Sequence, residues 1–499
     1  MLYSILLVIF VAPLLYRWLS FYWSVLTLHH LPPGPFPLPF VGNLHVIGAN
    51  VHVSLTNLAQ KYGDLMTVYF GSERAIIVSS SELAREVLVR QSNAFGGRPR
   101  NLPYGALLFS HGGKNIAFRE INTTWRKQRK IFHAAVKSFG SNLLVLEKQV
   151  CSVVEDLTGT LGDHLGTARD IKDDIRLCVF NVICAMTFGS KYHQDDREFH
   201  SMMAAIDAIQ RSVSPGNAID VFPLLRRLPI RQMVELKEAV ALKDSIVATK
   251  YREHEAALDD DDDIRDLSDA LLKQHRRVAE AGTIDDVTLT DEEVQLIISD
   301  IFVAGTETSA VSILWAIYYL AHNPDAQDKV HGEMRRHLDP DSPPTFRDRR
   351  RLPYLRATVT EAFRCSSAVP LLLPHRAVTD TMVSGYCIPE DTTVLVNSWA
   401  IHHDPRLWDD PHAFEPARFI DADGNYSPPA PFTFFPFSAG KRVCVGEVLG
   451  KMIVFVTLAR MLFFYRFSLA SVESLETSDV KPASILKPSH FNVFVERRF

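Results

Sequence analysis

The pattern of apolar and polar positions separates a short N-terminal run from a long mixed body in this 499-residue chain. Residues 1–28 are nearly all apolar or aromatic, a length that suits one bilayer crossing, and Arg17 is their one charged residue. A charge near the middle of a membrane costs about 2.5 to 3.5 kcal/mol, so Arg17 is also compatible with a shallow or tilted anchor. No basic region precedes the run and no A-x-A-like site follows it, which favours a retained anchor over a cleaved signal peptide. Basic residues follow the run, so the positive-inside bias places the body in the cytosol.

A proline-rich segment follows the predicted anchor. Residues 29–43 contain the run Leu31-Pro32-Pro33-Gly34-Pro35-Phe36-Pro37-Leu38-Pro39, which cannot be helical and favours stiff polyproline II structure. We expect this hinge to space the body from the membrane.

The body, residues 44–499, is predicted to be one large domain, mainly α with a minor β lobe. Leu65–Phe70 and Ala75–Val78 are short β-rich runs that predict a hairpin with Gly71 in its turn, and helical periodicity dominates beyond about residue 80. The five consecutive aspartates at 259–263 favour a solvated loop. No internal repeat and no Gly/Ser linker divides the body.

Composition narrows the class of protein. With 47% hydrophobic and 22% charged residues, the chain is neither wholly disordered nor a polytopic membrane protein. The net charge of -5 gives no global basic field and argues against nucleic acid as a partner. The six cysteines form no C-x-x-C pair, so they indicate free thiols in a reducing compartment.

One cysteine stands in a loop rich in glycine. Gly440 and Gly446 allow close backbone approach around Cys444, while Arg442 and the N-terminus of the apolar helical run that follows would both favour a thiolate. An isolated cysteine is more often an ordinary buried residue. Together, however, Phe437, Gly440, Arg442, Cys444 and Gly446 match F-x-x-G-x-R-x-C-x-G, so the chain resembles the haem-thiolate monooxygenases of the cytochrome P-450 family.

A long apolar span begins with the capping box Thr290 and Glu293 and extends toward Asn323-Pro324. A second transmembrane helix is the alternative, but Asp300 and the acid in the Ala304–Ser309 stretch would be expensive in lipid, so we predict a buried interior helix.

The centre of that span carries candidate chemistry. Ala304 and Thr308 lie one turn apart, and an acid beside an alcohol, Glu307 with Thr308, can pass protons to a bound oxygen species through water. This stretch resembles the family's A-G-x-[DE]-T motif at its oxygen-activating helix.

Two further patterns gain meaning from the resemblance. Glu361 and Arg364 form an ordinary i,i+3 pair, but the element Phe414–Phe419 resembles the family's P-E-R-F element, with Ala417 in place of its Glu and with Arg418 present. We predict that Glu361, Arg364 and Arg418 form a structural ion network without a catalytic role.

Trp125 and Arg129 lie one helical turn apart in a basic stretch, which by itself is typical of a solvated helix face. They resemble the W-x-x-x-R pair that binds haem propionates. His375 matches a further propionate contact in animal members, although a lone histidine is usually a core or surface residue. The neighbouring basic residues are then expected to face outward toward an acidic redox partner; they are Arg126, Lys127 and Lys130.

The resemblance covers nearly the whole chain and implies an oxidoreductase that acts on paired donors and incorporates molecular oxygen. It implies haem b with Cys444 as the iron ligand, and electrons from NADPH through a flavoprotein reductase. Cytochrome b5 is a second expected partner, and the endoplasmic reticulum membrane is the expected location. Glu307 and Thr308 are expected to assist protonation.

The substrate is predicted to be lipophilic. Residues 102–118 and 204–221, expected over the pocket, are mostly apolar. Asp300–Gly305, Phe363–Ser367 and Leu373–His375 resemble the animal microsomal branch, which contains steroid 17-alpha-hydroxylases and aryl-hydrocarbon hydroxylases, so we favour a steroid or polycyclic lipid. Xenobiotic or fatty-acid hydroxylation is the nearest alternative. A reductase-independent haem-thiolate isomerase or dehydratase is a further alternative, but such relatives commonly lack the acid-alcohol pair that Glu307 and Thr308 form here. A haem sensor is the third alternative, and a sensor has no need for a proton relay.

Overall fold

The structure is a computed structural model that describes residues 30–139, 143–213, 217–259, 263–280, 289–471 and 484–498, with a few isolated positions between 12 and 23. The predicted anchor lies almost entirely outside the described residues, as do positions 260–262 of the aspartate run.

Helices make up most of the described chain, which confirms the mainly α prediction. They are α1 Val51–Tyr62, α2 Ser81–Arg85, α3 Tyr104–Phe109, α4 Thr123–Phe139, α5 Leu143–Gly162, α6 Lys172–Phe188, α7 Arg197–Ser212, α8 Ala218–Val221, α9 Arg231–Ala257, α10 Leu267–Glu280, α11 Asp291–His322, α12 Pro324–His337, α13 Pro353–Ser366, α14 Ser398–His402 and α15 Glu447–Phe464. A π-helical turn, Glu86–Arg90, continues α2, and 3-10 turns occupy Pro223–Arg227, Phe346–Arg350, Pro416–Phe419 and Gly440–Arg442.

The strands form one four-stranded sheet and two separate pairs. They are β1 Leu65–Phe70, β2 Glu73–Val78, β3 His375–Arg376, β4 Thr381–Val383, β5 Tyr386–Ile388, β6 Thr393–Val396, β7 Tyr465–Leu469 and β8 Val493–Arg497. The larger sheet has the order β1-β2-β6-β3, with β2 and β6 parallel, and β4 pairs with β5. The β7–β8 pair buries Phe467 and Val495 in the helical core, so the strands are not all in one minor lobe.

The predicted hairpin is present. Strands β1 and β2 pair antiparallel from Leu65 opposite Val78 to Phe70 opposite Glu73, and Gly71 lies in the turn. The proline-rich segment is not helical, as predicted, but it is not a free spacer. Thr67 of β1 donates from its amide to Pro33 O at 2.9 Å and from its hydroxyl to Pro32 O at 2.6 Å, so this segment lies against the sheet.

Helix α11 passes through the interior of the body. The capping box closes its start, since Glu293 N donates to Thr290 Oγ1 at 3.3 Å and Thr290 N donates to Glu293 Oε2 at 3.0 Å. Among the described residues, this helix is long and apolar enough to cross a membrane, yet 72% of its most apolar window is buried within the protein. The prediction of an interior helix is confirmed.

The two segments expected over the pocket contact each other. Gly105 of α3 lies so close to the end of α7 that an added Cβ would overlap Ser212 Oγ, and Tyr104 N donates to Asp220 Oδ1 at 2.7 Å. Helices α3, α7 and α8 are therefore joined to one another.

Candidate functional site: a thiol recess with a cation cluster

The loop around Cys444 connects the 3-10 turn Gly440–Arg442 to helix α15. Cys444 N donates to Phe437 O at 2.9 Å, which closes the loop, and the Phe437 ring packs edge-on against Phe363 at 5.4 Å. The Cys444 side chain is accessible, although the surrounding protein strongly desolvates its sulfur. The two observations together place Cys444 in a recess of the protein, which we call the thiol recess.

Gly440 shapes this loop through close packing. Its φ is +69°, in the left-handed region, and an added Cβ would overlap the carbonyl oxygen of Leu88 in the π-helical turn. No residue with a side chain fits this position without displacing backbone.

Electrostatics at Cys444 differ from the prediction. Burial raises the pKa of the thiol, while the Gly446 amide and the Arg129 guanidinium lower it, and the net shift is upward. Arg442 does not provide the expected stabilisation, because its Nε and Nη2 donate to Gly96 O at 2.9 and 2.8 Å. The protein therefore favours a thiol here until another positive centre, such as a metal ion, stabilises the thiolate.

Trp125 gathers two arginines around its ring. The guanidinium carbons of Arg129 and Arg442 lie 5.1 and 4.8 Å from the ring centroid, and Trp125 Nε1 donates to Ile116 O at 3.0 Å. Arg129 also donates from Nη1 and Nη2 to Val443 O, both at 3.1 Å, which links helix α4 to the cysteine loop. The predicted Trp125 and Arg129 thus lie beside the thiol recess.

Arg98 is a third arginine here and was missed from the sequence. It is 4% exposed, donates to Ala117 O at 2.7 Å and Pro374 O at 2.6 Å, and its pKa falls because of burial and the nearby Arg442. The signal that could have found it is the run Gly96-Gly97-Arg98-Pro99, a buried arginine after two glycines. We call Arg98, Arg129 and Arg442 the cation cluster.

His375 lies against the same cluster. Burial and the charge of Arg98 lower the pKa of His375 to about 3, so the ring is neutral. Its Nδ1 lies 2.9 Å from Phe95 O and must donate the hydrogen bond, which leaves a lone pair on Nε2. His375 thus lies beside the cation cluster, and binding a carboxylate there requires one additional proton.

The cation cluster suits an anionic group. Within the described residues, none of its three guanidiniums forms an ion pair with a carboxylate; they bind carbonyl oxygens. Arg442 Nη1 is buried without a hydrogen-bond partner, and burial lowers the pKa of Arg442 to about 10. A haem supplies two carboxylates and an iron for the thiol, so these residues fit that group.

The centre of α11 has an open face. Ala304 is exposed and Gly305 and Thr308 are half-buried, although most of the helix is buried. Thr308 Oγ1 donates to Ala304 O at 2.6 Å, so the predicted pair does share one face. This face can bind a small molecule next to a hydroxyl.

Glu307 is not on that face with Thr308. Its side chain is 1% exposed and is held by Arg176 Nη2 at 3.0 Å and Lys487 Nζ at 2.5 Å. Successive residues of a helix point about 100° apart, so the two neighbours are directed into different surroundings.

The predicted ion network is confirmed. Glu361 and Arg364 are fully buried and bidentate, with Nε to Oε2 at 2.7 Å, and Arg418 Nε lies 3.0 Å from Glu361 Oε1. The outward basic face is confirmed only in part, because Arg126 and Lys130 are exposed while Lys127 is 8% exposed. Lys127 lies on the inner side of α4 with Gln128, as the helical period requires.

Comparisons with known proteins agree with this geometry. The family model described as Cytochrome P450 matches residues 32–495. The chain is 36% identical to a steroid 17-alpha-hydroxylase/17,20 lyase of Gallus gallus, over 91% of this chain and 90% of that protein. It is 34% identical to cytochrome P450 1A1 of Sparus aurata, over 89% and 86%. A zebra fish cytochrome P450 solved with progesterone superposes with a TM-score of 0.79 at 33% identity, over 90% of this chain and 99% of that one.

Proposed function

Because this chain belongs to the cytochrome P450 family and is a monooxygenase of that family, we propose that it inserts one atom of dioxygen into a steroid or similar polycyclic lipid. The observation that carries the proposal is the accessible Cys444 recess beside three arginines whose guanidiniums form no ion pair with a carboxylate of the described residues. The steroid class is supported by the relatives named as steroid 17-alpha-hydroxylases, which align over about nine-tenths of this chain.

The residues that would hold the haem follow from their contacts. Cys444 would bind the iron through its thiolate, and the cation cluster with Trp125 would bind the propionates. Phe437, Gly440 and Gly446 would shape the loop that presents Cys444 to the haem, and the exposed Ala304 would leave room for the haem at the open face of α11. When bound, haem with a thiolate ligand supplies the activation of dioxygen.

Proton handling falls to the open face of α11. Thr308 holds a proton at Oγ1, which it donates to Ala304 O and can redirect by rotating. Both oxygens of Glu307 now face cations, so Glu307 can pass on a proton only after a cation leaves it and the freed carboxylate takes up a proton from water. We therefore assign Thr308 as the immediate proton donor and Glu307 to an earlier proton-transfer step.

The electrons would come from NADPH through a flavoprotein reductase, with cytochrome b5 as a second donor, at the endoplasmic reticulum membrane. The exposed Arg126 and Lys130 on α4 support docking of an acidic partner on that side. Xenobiotic oxidation is the second candidate, because the sequence also resembles the aryl-hydrocarbon hydroxylases of the animal microsomal branch. A dependence of product on NADPH and purified reductase would exclude a reductase-independent isomerase or dehydratase.

The metal ligand is tested by Cys444→Ser. We expect the reduced protein with carbon monoxide to lose its thiolate-type absorption band, since an alcohol is a far poorer anion than a thiol. Cys387→Ser is the matched control, because Cys387 lies in strand β5 and is only half-buried. A thiolate-type band retained by Cys444→Ser would overturn the assignment of Cys444.

The substrate class is tested with the purified, membrane-reconstituted protein. A panel of steroids, fatty acids and planar aromatic compounds is titrated while the haem absorption is recorded, and products are then identified with NADPH and reductase. We expect steroids to shift the spectrum at the lowest concentrations and to be hydroxylated. A response to fatty acids or aromatic compounds with silent steroids would replace the steroid by that class.

A further inference from the structure

The main chain of Arg98 is held at both its amide and its carbonyl by a pair of charged residues. Glu120 Oε1 accepts from Arg98 N at 3.2 Å and from Arg376 Nη2 at 2.9 Å, and Arg376 Nε donates to Arg98 O at 2.8 Å. Arg376 is 7% exposed and lies in β3, next to His375. Gly97 leaves room for this approach, because an added Cβ there would lie 3.1 Å from Nε and Nη2 of Arg376. Glu120 and Arg376 therefore position Arg98 of the cation cluster through its main chain.

Glu120 is also one end of a chain of ion pairs that extends outward over the surface. Arg376 Nη1 lies 2.6 Å from Asp391 Oδ1. Asp391 Oδ2 in turn lies 3.1 Å from Arg100 Nη1, and Arg100 Nη2 lies 3.5 Å from Glu390 Oε1. We call these five residues, Glu120, Arg376, Asp391, Arg100 and Glu390, the ion-pair chain. It contains three carboxylates and two guanidiniums, so it carries one excess negative charge.

The charge of Glu120 acts on the side chains of the cation cluster. Burial and the charge of Arg442 lower the pKa of Arg98, and the charge of Glu120 acts in the opposite direction. Burial also lowers the pKa of Arg442 to about 10, again against the charge of Glu120. These two guanidiniums form no ion pair with a carboxylate of the described residues, so Glu120 acts on them through space.

The charges around the cation cluster suit a dicarboxylate. The cluster contributes three positive charges and the ion-pair chain one excess negative charge, which leaves two positive charges, and His375 beside them is neutral. The two propionates of a haem carry two negative charges. Glu120 thus reduces three positive charges to the two that the propionates compensate.

We propose that Glu120 is a positioning residue of the haem site, which orients Arg98 through its main chain and lowers the reduction potential of the haem by offsetting one positive charge of the cation cluster. Reduction of a haem adds one negative charge, which an uncompensated positive charge nearby would favour. The inference rests on the proposed function for the presence of the haem. It does not depend on which substrate is oxidised.

The role of the charge is tested by redox titration of the substrate-free holoenzyme, followed through the haem absorption. Glu120→Gln keeps the shape and an acceptor oxygen but removes the charge, so the ratio of reduced to oxidised haem at a fixed potential should rise about two- to tenfold. For a one-electron couple, this corresponds to a reduction potential that is about 18 to 59 mV higher. Glu120 is 47% exposed, so added salt should reduce the difference between the two proteins.

Two further variants separate charge from shape. Glu120→Asp keeps the charge but shortens the side chain, so its reduction potential should stay close to the parental value. Glu390→Gln removes a carboxylate from the outer end of the same ion-pair chain, where Glu390 is 53% exposed, and should leave the potential unchanged. The inference is overturned if Glu120→Gln has the parental potential, or if Glu120→Asp or Glu390→Gln shifts the potential as much as Glu120→Gln does.

Haem release provides a second measurement on the same proteins. The holoenzyme is mixed with an excess of haem-free globin, and the transfer of haem is followed by absorbance. Glu120→Gln leaves more positive charge for the propionates, so it should release haem about twofold or more slowly than the parental protein. Faster release would mean that Glu120 only supports Arg98 and would overturn the electrostatic role. A chain that takes up no haem would instead count against the proposed function, and the two failures are therefore distinguishable.

Discussion

At the scale of single residues, the open face of α11 depends on one hydroxyl. Thr308 is half-buried and donates to Ala304 O, while the hydroxyl of Thr306, two positions earlier, donates to Phe302 O at 2.8 Å and is fully buried. The two threonine side chains therefore have different environments within one helical turn, and of the two only Thr308 can exchange its hydrogen-bond partner for a ligand.

Thr308→Ala removes that hydroxyl. We expect coupling of NADPH consumption to product to fall about tenfold or more, with hydrogen peroxide released, since removing a positioned proton donor typically costs a factor of 10² to 10⁴. The measurement is the ratio of product to peroxide per NADPH. Thr306→Val serves as the control, and equal coupling in Thr308→Ala and the parental protein would remove Thr308 from this role.

Gly440 is the residue on which the shape of the cysteine loop depends. Gly440→Ala should reduce haem content and the free energy of unfolding by about 1 to 3 kcal/mol, because a side chain at positive φ is strained and its Cβ also overlaps Leu88 O. Gly424→Ala isolates the conformational part, since Gly424 has φ +80° with no atom within 4 Å of an added Cβ. Equal haem loss in both variants would contradict the packing argument.

At the scale of elements, α11 also holds the segment between α3 and α4. Asp300 accepts from Asn115 Nδ2 at 2.5 Å and from Ile116 N at 2.8 Å, and Trp125 Nε1 donates to the carbonyl of the same Ile116. Burial raises the pKa of Asp300 to about 7 despite these hydrogen bonds. The hydrogen bonds that connect α11 to the cation cluster through Ile116 and Trp125 therefore include one titratable group, Asp300.

This predicts a pH dependence with a defined sign. Between pH 3.8 and about 7 the folded protein keeps a proton on Asp300 that the unfolded chain loses, so this group's contribution to the free energy of unfolding falls as pH rises through that window. The loss is at most about 4 kcal/mol. The free energy of unfolding of the parental protein minus that of Asp300→Asn should therefore fall from pH 5 to 7 and stay constant above about pH 8.

Urea unfolding of both proteins at several pH values measures that difference, and their other titrating groups cancel in the comparison. If the parental value minus the variant value instead rises with pH, the hydrogen bonds from Asn115 and Ile116 outweigh the burial of the carboxylate.

At the scale of the whole molecule, the body is joined to the proline-rich segment by the sheet. Thr67 of β1 binds Pro32 and Pro33, and Cys387 N of β5 donates to His30 O at 3.0 Å, so the chain from residue 30 onward is attached to the body. The membrane anchor at residues 1–28 stays a prediction. Deleting these residues tests the anchor while the proline-rich segment that contacts the sheet is kept.

Deleting residues 1–28 should therefore shift the protein from the membrane fraction to the salt-extracted or soluble fraction while haem content is kept. Fractionation with and without high salt, with absorbance as the readout, measures both properties. A matched chain with Arg17→Leu should remain in the membrane fraction. Membrane association unchanged by the deletion would place the main attachment in the body.

Several parts of the site could be predicted because they depend on local spacing. The capping box at Thr290 and Glu293, the turn at Gly71 and the glycine-bounded Cys444 loop are each determined within a few positions of the chain. The pairing of Glu361 with Arg364 is also local, at a separation of three residues. Such contacts follow from helix and turn geometry alone.

Other parts required the folded chain. The sequence pattern placed Arg442 beside Cys444 and Lys127 on the surface, whereas packing directs Arg442 to Gly96 and buries Lys127. It also missed Arg98, whose partners Ala117 and Pro374 are 19 and 276 positions away.

The sequence by itself thus determined the elements, the candidate iron ligand and the helix that carries Thr308, since periodicity and motif spacing act along the chain. The tertiary structure decided which charges meet: Arg129 rather than Arg442 acts on Cys444, and Glu307 is bound by Arg176 at a separation of 131 residues. The physical reason is that the energy of a charge depends on its burial and on its nearest partners in space, and neither is encoded by neighbouring positions.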